Sequence, residues 1–130
     1  MKRTKTKPNF VDRRGEIRDL LSHEPIDAIT YITCAKGAVR GNHYHKKTIQ
    51  YDYVLKGEIR CVSKDMKTGR IARTTLRPGD LVYHPANEAH AFEALKHSIF
   101  LSFTRGPRNG TDFEKDTVRL EIPLIKSKKK

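Results

Sequence analysis

Short segments rich in β-branched and aromatic residues recur along the chain, and a turn containing Gly, Pro or Asn separates most of them. Such segments are typical of β-strands, and their regular spacing favours an all-β barrel or sandwich. No long stretch has the apolar repeat of an amphipathic helix. The predicted strands cover residues 26–34, 38–45, 48–55, 58–62, 71–76, 81–84, 90–94 and 98–104.

The chain of 130 residues is long enough for one domain with its own core but not for two. Of its 27 Lys and Arg residues, eight lie in segments 1–8 and 126–130, which we predict to be disordered basic tails. The domain, residues 9–125, keeps the other 19 against 15 acidic residues. This small positive excess would suit an anionic small molecule. Nucleic acid is expected to bind only non-specifically, through the tails.

The sequence also bears on the cell compartment. No apolar run is long enough to span a membrane, and the first residues lack the apolar segment of a signal peptide. Cys34 and Cys61 could form at most one bridge, which is too few for a disulfide scaffold. We therefore expect a cytoplasmic protein that does not interact with membranes.

Two histidines stand two positions apart in the second predicted strand. Residues i and i+2 of a strand point to the same side, so His43 and His45 can converge on one metal ion or one substrate atom. Farther along, the rigid turn at Pro85 delivers His90 to the start of another strand. These three imidazoles are candidates for one site. Surface or loop positions are expected for the remaining histidines, His23, His84 and His97.

The residues around these histidines resemble the two sequence motifs of the cupin superfamily. The positions that match the first motif are Gly37, His43, His45, Gln50 and Gly57, and those that match the second are Gly79, Pro85 and His90. The resemblance covers most of residues 37–94. It implies a small single-domain cupin with a jelly-roll-like β-barrel, and a barrel mouth lined by His43, His45, Gln50 and His90.

Three positions depart from the metal-binding cupins. Gln50 stands where those proteins usually have glutamate, Asn87 where they have glycine, and Ala94 where they have asparagine. Asn87 can still adopt a left-handed turn conformation. A divalent metal (Zn, Ni, Mn or Fe) held by three imidazoles and the Gln50 amide would keep its full charge and favour an anionic ligand. Gln50 is either a metal ligand or a hydrogen-bond partner that orients a histidine.

A narrower resemblance points to enzymes of deoxysugar metabolism. Residues 40–50 (RGNHYHKKTIQ) look like the RGxHxHKxxxQ pattern of the nucleoside-diphosphate-sugar 3,4-ketoisomerases. Residues 10–15 (FVDRRG) are similar to the opening segment of these cupins and of the 4-keto-sugar 3,5-epimerases, and residues 112–120 (DFEKDTVRL) to the ketoisomerases' closing segment. In that family glutamine is normal at position 50, no metal is required, and the histidine pair acts with a tyrosine at the position of Tyr31.

This resemblance implies isomerisation or epimerisation of a nucleotide-linked keto-deoxysugar, as in polysaccharide biosynthesis. The reaction removes a proton beside a carbonyl and returns one through an enediol, which needs a base of near-neutral pKa and an acid. His43 or His45 would be the base, and Tyr31 or the other histidine the acid. Substrate binding is assigned to Arg40, Gln50 and Asp52.

Alternation along the strands makes two further predictions. Strict alternation places Arg40 on the side opposite His43, so a bulge at Gly41 or a second subunit is needed to bring it in. In the next strand Gln50 and Asp52 face inward, and an apolar stripe faces outward, formed by Ile49, Tyr51, Tyr53 and Leu55. A monomer seldom leaves such a stripe exposed. We therefore predict a homodimer, with cover by the amino-terminal strand as the alternative.

Two other functions stay open at this point. One is a metal-dependent cupin enzyme, a dioxygenase, lyase or hydrolase that uses His43, His45 and His90, and stoichiometric bound metal would favour it. The other is a non-catalytic module that binds a sugar or small acid tightly without turnover. The pattern of residues 40–50, together with the opening and closing segments, favours the sugar-nucleotide enzyme.

Overall fold

The computed structural model describes residues 1–107 and 110–127. Over these residues the chain forms twelve strands and one short helix, so the predicted all-β class is confirmed. Helix α1 (Gly110–Asp116) precedes the last strand. The strands are β1 (Lys2–Lys5), β2 (Phe10–Asp12), β3 (Gly15–Ile17), β4 (Ala28–Cys34), β5 (Val39–His45), β6 (Ile49–Lys56), β7 (Ile59–Asp65), β8 (Ile71–Leu76), β9 (Asp80–His84), β10 (Glu88–Ala94), β11 (Ser98–Arg105) and β12 (Thr117–Arg119).

Ten of the described strands form two five-stranded antiparallel sheets that face each other. The first has the strand order β12-β5-β10-β7-β8 and is called the histidine sheet below, because β5 and β10 carry His43, His45 and His90. The second has the order β1-β9-β6-β11-β4 and is called the amide sheet, because its strand β6 carries Gln50. Strands β2 and β3 form a separate hairpin.

Apolar side chains from both sheets meet between them and form the core. Phe92 of the histidine sheet packs against Phe100 of the amide sheet, with 5.5 Å between ring centroids. Burial of each such side chain stabilises the fold by roughly 2–3 kcal/mol. Along β6 the inward positions change from apolar Val54 in the core to polar Asp52 and Gln50. This change leaves a polar space between the sheets, beside the core.

The amino-terminal segment contains regular structure, so the prediction of a disordered tail at residues 1–8 is wrong. Strand β1 pairs antiparallel with β9 at the edge of the amide sheet. This pairing satisfies backbone groups that an unpaired edge would leave to solvent. The Nζ of Lys5 also lies 3.5 Å, and the Nη1 of Arg3 3.8 Å, from the buried carboxylate of Asp80, so two basic residues of β1 have an acidic partner inside the fold.

The carboxy-terminal part departs from the prediction in one respect. The segment after β11, predicted as a loop, contains α1. Of the predicted tail, residues 126–127 are exposed and have no regular structure, and residues 128–130 lie outside the described residues. No helix in the described ranges has the length and apolar character needed to cross a membrane.

The outward stripe of β6 is covered in part by the chain itself. Tyr53 is buried, and the Tyr51 hydroxyl donates a hydrogen bond to Glu24 (3.0 Å) in the segment between β3 and β4. Tyr51 also packs on Tyr83 of β9, with ring centroids 4.8 Å apart. Leu55 stays 43% exposed. The chain therefore covers much of the stripe that prompted the homodimer prediction, and that prediction is taken up below.

Candidate active site

A cavity of about 210 Å³ lies between the two sheets. The histidine sheet contributes three imidazoles to its lining, and the amide sheet contributes neutral polar groups and apolar side chains. This mixture of convergent polar groups and apolar surface is typical of a site for a small polar ligand. The lining includes His43, His45, His90, Arg40, Gln50, Thr30, Ser102, Ile32, Phe92, Phe100 and Phe113.

The structure brings the three predicted histidines together. The ring centroid of His43 lies 4.9 Å from that of His45 and 4.9 Å from that of His90, and the third pair is 5.7 Å apart. One nitrogen from each ring lies within 4.8 Å of one nitrogen of each of the others. His45 and His90 are buried, and His43 is partly exposed to the cavity. Two strands of one sheet therefore present three imidazoles to a single point.

A bulge in β5 turns Arg40 toward the cavity. One extra residue, Asn42, is inserted into β5 opposite the step from His90 to Ala91. Gly41 has a φ of 88°, and a Cβ on it would lie 2.7 Å from the carbonyl oxygen of His90, so only glycine fits there. Because of this bulge, Arg40 lines the cavity although strict alternation would place it outside.

The Arg40 side chain is held at the cavity by β4. Its Nη2 donates a hydrogen bond to the backbone oxygen of Thr33 (2.9 Å), and its Nε lies 3.1 Å from the Sγ of Cys34. Arg40 is exposed on its other side. A guanidinium in this position can donate further hydrogen bonds to an anion at the cavity.

A buried carboxylate stands behind His45. The Oδ2 atom of Asp116, at the end of α1, lies 3.5 Å from the Nδ1 of His45. The backbone N–H of Lys47 donates to Oδ1 of Asp116 (2.7 Å), and the Thr48 hydroxyl donates to Oδ2 (2.5 Å). Thr117 places its hydroxyl 3.2 Å from the same histidine nitrogen. An imidazole held in this way suits a general base, because the carboxylate stabilises the imidazolium that forms.

Burial lowers the pKa of two of the histidines. The pKa of His43 is lowered from 6.5 to about 4, chiefly by burial and further by the charges of His45 and Arg119. The pKa of His90 is lowered well below its ordinary value, again chiefly by burial, with His84 and the other two imidazoles adding to the effect. Both rings are therefore neutral at pH 7, and each carries a lone pair that can accept a proton or bind a metal.

A buried polar network lies behind Gln50. Its Nε2 donates to both carboxylate oxygens of Asp52 (3.0 and 2.9 Å). The Asp52 Oδ2 lies 3.8 Å from the Nε2 of His84, and the Nδ1 of His84 lies 3.0 Å from the Oε1 of Glu88. The His84 ring packs on His90, with 4.6 Å between centroids. Asp52, predicted to bind substrate, therefore lies behind the cavity lining.

The expectation that His84 is a surface residue is wrong. Strand β9 alternates between buried and partly buried positions, and His84 falls on the buried side with Asp80 and Val82. Carboxylates near both of its nitrogens provide the polar partners that a buried imidazole needs. This burial could be predicted from the sequence, because His84 is two positions after the apolar Val82 and therefore shares its face of the strand.

Of the two predicted candidates for the catalytic acid, Tyr31 and the second histidine, the structure does not bring Tyr31 to the cavity of a single chain. Its neighbours Thr30 and Ile32 line the cavity, so alternation places Tyr31 on the outer face of β4, where it is 62% exposed. The sequence comparison located the strand but not its register. The cavity-facing hydroxyl on β4 belongs instead to Thr30, which the sequence analysis did not single out.

The cupin domain family matches residues 30–102, which is more than half of the chain. The chain belongs to the cupin family. Among solved structures, this cupin is similar to a sugar 3,4-ketoisomerase from Thermoanaerobacterium thermosaccharolyticum in complex with TDP, at 20% identity and a TM-score of 0.76 over 92% of this chain and 88% of that chain. It is also similar to a dTDP-4-dehydrorhamnose 3,5-epimerase from Sulfolobus tokodaii, at 24% identity and a TM-score of 0.71 over 83% and 70% of the two chains.

Among curated proteins, this cupin is similar to an oxalate decarboxylase from Arthroderma benhamiae. The two are 31% identical over 106 residues, which are 79% of this chain and 23% of the decarboxylase. The chain therefore spans less than a quarter of that relative's length. The two solved structures are 20% and 24% identical to this chain, so the similarity to them shows a shared fold.

The three histidines of this cupin fit a divalent metal. Their nitrogens lie within 4.8 Å of one another, and burial holds His43 and His90 in the neutral form that binds metals. In the part of the chain that the structure describes, the buried Nε2 of His90 has no hydrogen-bond partner. Gln50 lines the same cavity and carries a neutral oxygen. A metal here would keep its full charge.

Asp116 is the main site residue that the sequence analysis missed. It lies in the segment DFEKDTVRL, whose resemblance to the ketoisomerases' closing segment marked the region but not the residue. Its position depends on α1 and on the pairing of β12 with β5, which puts Thr117 opposite His45. Neither element was predicted, so the contact between Asp116 and His45 could not be inferred.

Proposed function

We propose that this cupin is an enzyme that isomerises or epimerises a nucleotide-linked keto-deoxysugar by histidine acid–base chemistry. The observation that carries the proposal is the His45–Asp116 pair, in which an imidazole of the cavity has a buried carboxylate 3.5 Å behind it. The fold that it shares with a sugar 3,4-ketoisomerase and a 3,5-epimerase supports this class of substrate.

In this mechanism His45 is the base. It takes the proton from the carbon next to the ketone, the C–H electron pair forms a carbon–carbon double bond, and the carbonyl electrons move to oxygen. Asp116 stabilises the imidazolium. When the proton returns to the former ketone carbon, the ketone has moved by one position. When a proton returns to the opposite face of the original carbon, that centre is inverted.

His43 is proposed to handle the protons on oxygen. With a pKa of about 4 its ring is neutral at pH 7, so one nitrogen can donate an N–H to the enolate oxygen and the other can accept a hydroxyl proton. Moving a ketone requires both events, because the old carbonyl oxygen gains a proton and the neighbouring hydroxyl loses one. This assignment selects the second histidine, rather than Tyr31, from the two predicted acids.

Arg40 is proposed to bind the anionic part of the substrate. Its guanidinium lines the cavity and is held by Thr33, and its planar set of donors matches phosphate oxygens. The cavity of about 210 Å³ is smaller than the pockets that enclose drug-sized ligands. We therefore place the sugar ring inside it and the nucleotide outside.

The test is solvent exchange with a keto-sugar nucleotide. TDP-4-keto-6-deoxyglucose, which is bound in a structural neighbour, is incubated with the protein in deuterium oxide and analysed by mass spectrometry and NMR. We expect one deuterium to enter the ring at or beside the ketone carbon, and His45→Asn to slow the exchange by about 10³-fold. Tight binding of the sugar nucleotide without deuterium exchange would instead support a non-catalytic binding module. Absence of both binding and exchange would contradict the proposal.

A second candidate is a metal-dependent cupin enzyme, a dioxygenase, lyase or hydrolase. The observation that favours it is the unpartnered, buried Nε2 of His90 within a cluster of three imidazoles, and the similarity to an oxalate decarboxylase gives a lyase of a small dianion as one example. His43, His45 and His90 would hold the ion, with Gln50 beside them. When bound, a divalent metal would act as a Lewis acid on an anionic ligand.

Metal content separates the two candidates. Untagged protein is analysed for Zn, Ni, Mn and Fe per chain, beside His90→Ala, and then after addition of each metal. About one metal per chain, lost in the variant, would favour the second candidate. The first candidate predicts that solvent exchange continues in chelator-treated protein.

We also propose a homodimer that uses the outer face of the amide sheet. Ile29 and Tyr31 on β4 are 67% and 62% exposed, and Leu55 on β6 is 43% exposed, so this face keeps apolar surface in a single chain. The mass in solution, measured by light scattering, tests this proposal. A monomer at high protein concentration would contradict it.

A further inference from the structure

The orientation of the Gln50 side chain is fixed by a residue that does not line the cavity. Gln50 is 9% exposed, and both described hydrogen bonds of its amide run from Nε2 to the two oxygens of Asp52, at 3.0 and 2.9 Å. An ionised carboxylate can only accept hydrogen bonds, whereas a side-chain amide donates through nitrogen and accepts through oxygen. The nitrogen must therefore face Asp52, and the oxygen is left for the cavity that Gln50 lines.

Asp52 is itself fixed from several directions. It is 1% exposed, and Ser102 of the neighbouring strand β11 pairs with it in register and donates a hydrogen bond to its side chain. On the other side, the imidazole of His84 lies 3.8 Å away, held by Glu88. A carboxylate with these partners is held in one orientation, and its hydrogen bonds with Nε2 fix the orientation of the Gln50 amide.

We propose that Asp52 is a positioning residue that makes Gln50 a hydrogen-bond acceptor for a hydroxyl of the substrate's sugar ring. This inference rests on the proposed function. The histidine sheet supplies the guanidinium of Arg40 as a donor and the imidazoles as proton-transfer groups. The Gln50 oxygen supplies an acceptor on the opposite sheet. A ring hydroxyl can donate to that oxygen, and a ketone or a deoxygenated carbon at the same place cannot.

The arrangement makes Gln50 a specificity-determining residue. A sugar with a hydroxyl next to the Gln50 oxygen donates a hydrogen bond to it. A sugar with a ketone at the same place brings two acceptor oxygens together in a buried site, where neither has a donor, and this costs binding free energy. The Gln50 amide oxygen therefore selects the orientation in which the keto-sugar binds in the cavity. Without Asp52 the amide could turn its nitrogen to the cavity, and this selection would be lost.

Binding measurements on two ligands test the proposal. Isothermal titration calorimetry compares TDP-4-keto-6-deoxyglucose with TDP alone, so the difference reports on the sugar. We expect Asp52→Asn and Gln50→Met each to weaken binding of the sugar nucleotide about tenfold, with no further loss in the double variant, because the two residues act through one hydrogen bond. Binding of TDP should be unchanged in all variants.

A matched control is Asp80→Asn. Asp80 is also a 1% exposed aspartate of the amide sheet, but it contacts Arg3 and Lys5 and does not line the cavity. We expect this variant to bind both ligands as the wild type does. Sugar-nucleotide binding unaffected by Asp52→Asn, or TDP binding weakened equally, would overturn the proposal.

A ligand-free measurement separates failure of this inference from failure of the proposed function. In ¹⁵N NMR spectra of the 130-residue chain, the Gln50 side-chain amide protons should exchange slowly with solvent in the wild type and quickly in Asp52→Asn. Slow exchange with no binding of the sugar nucleotide by the wild type would overturn the proposed function and the acceptor role with it. Fast exchange in the wild type would overturn the positioning by Asp52 whatever the ligand.

Discussion

The two sheets of this cupin carry different kinds of chemistry to the same cavity. The histidine sheet contributes three imidazoles whose protonation can change, and a carboxylate on the helix beside it supports one of them. The amide sheet contributes Gln50, Thr30 and Ser102, which are neutral and hydrogen-bond without changing charge. The difference suits the histidine sheet to proton transfer or metal binding, and the amide sheet to neutral hydrogen bonds that orient a ligand.

Two of the buried carboxylates follow the same division. Asp116 lies behind His45, where it can stabilise a positive charge that appears during reaction. Asp52 lies behind Gln50, where it fixes an amide. In the proposed function, the carboxylate beside the histidine sheet therefore tunes acid–base behaviour, and the carboxylate of the amide sheet fixes geometry. Substitutions of the imidazoles should therefore change the rate of turnover, and substitutions of the polar groups of the amide sheet should change ligand affinity.

The largest expected effect is on the histidine sheet, from His45→Asn. Removing the general base should lower the rate of solvent exchange by about 10³-fold, because general-base catalysis typically contributes 10²–10⁴. Affinity for TDP should change little, since the nucleotide is proposed to lie outside the cavity that His45 lines. Single-turnover measurements of deuterium exchange give the rate, and isothermal titration calorimetry gives the affinity for TDP. Loss of TDP binding with retained exchange would reverse the roles assigned to the two sheets.

The substitution Asp116→Asn should have a smaller effect, about 10–100-fold on turnover, which is typical when a residue that orients a functional histidine is removed. His45 keeps its place in the cavity but loses the charge that stabilises its imidazolium. The reduction should therefore appear in kcat more than in KM. The matched control is Asp112→Asn, an exposed position on the same helix, for which we expect wild-type turnover.

The third prediction concerns pH. The pKa of His43 is about 4 in the folded chain and near 6.5 when the chain is unfolded, so between these values the unfolded state binds the extra proton. The free energy of unfolding of metal-free protein should therefore fall as pH is lowered from 6.5 to 4, by about 2 kcal/mol from this group.

Denaturant unfolding across that pH range, with His43→Gln as the comparison, measures the contribution. The variant should lose the part of the slope that comes from His43. An NMR titration of His43 with a midpoint near 6.5 would contradict the prediction and would remove the electrostatic contrast between the two sheets.

The motif residues of the histidine sheet could be predicted from sequence because strand alternation and the Pro85 turn act locally. The HxH pair needs only one strand, and the bulge that turns Arg40 inward was foreseen as a condition at Gly41. Asp116 was missed because its contact with His45 spans 71 positions and depends on α1, a helix of seven residues that carries no strong periodic signal.

The amide sheet was harder to predict for a different reason. Its polar residues at the cavity are Thr, Ser and Gln, which are equally common on surfaces, so only the register of each strand assigns them to the cavity. A shift of one residue exchanges the two faces. Tyr31 was assigned from its match to a tyrosine position of the ketoisomerases, without a predicted register for β4, and the residue of that strand that faces the cavity is Thr30. The same applies to β1, whose basic composition predicted disorder although its backbone pairs with β9.

The smallest expected effect is on Tyr31, and it tests the register of the amide sheet. Tyr31→Phe removes a hydroxyl from the outer face of β4, so turnover should stay within about twofold of the wild type in solution. Thr30→Val, one position away and facing the cavity, should weaken sugar-nucleotide binding more than Tyr31→Phe does. If Tyr31→Phe reduced turnover as strongly as His45→Asn, the tyrosine would have to reach the cavity of a second subunit, and the site would then be shared between two chains rather than built from the two sheets of one.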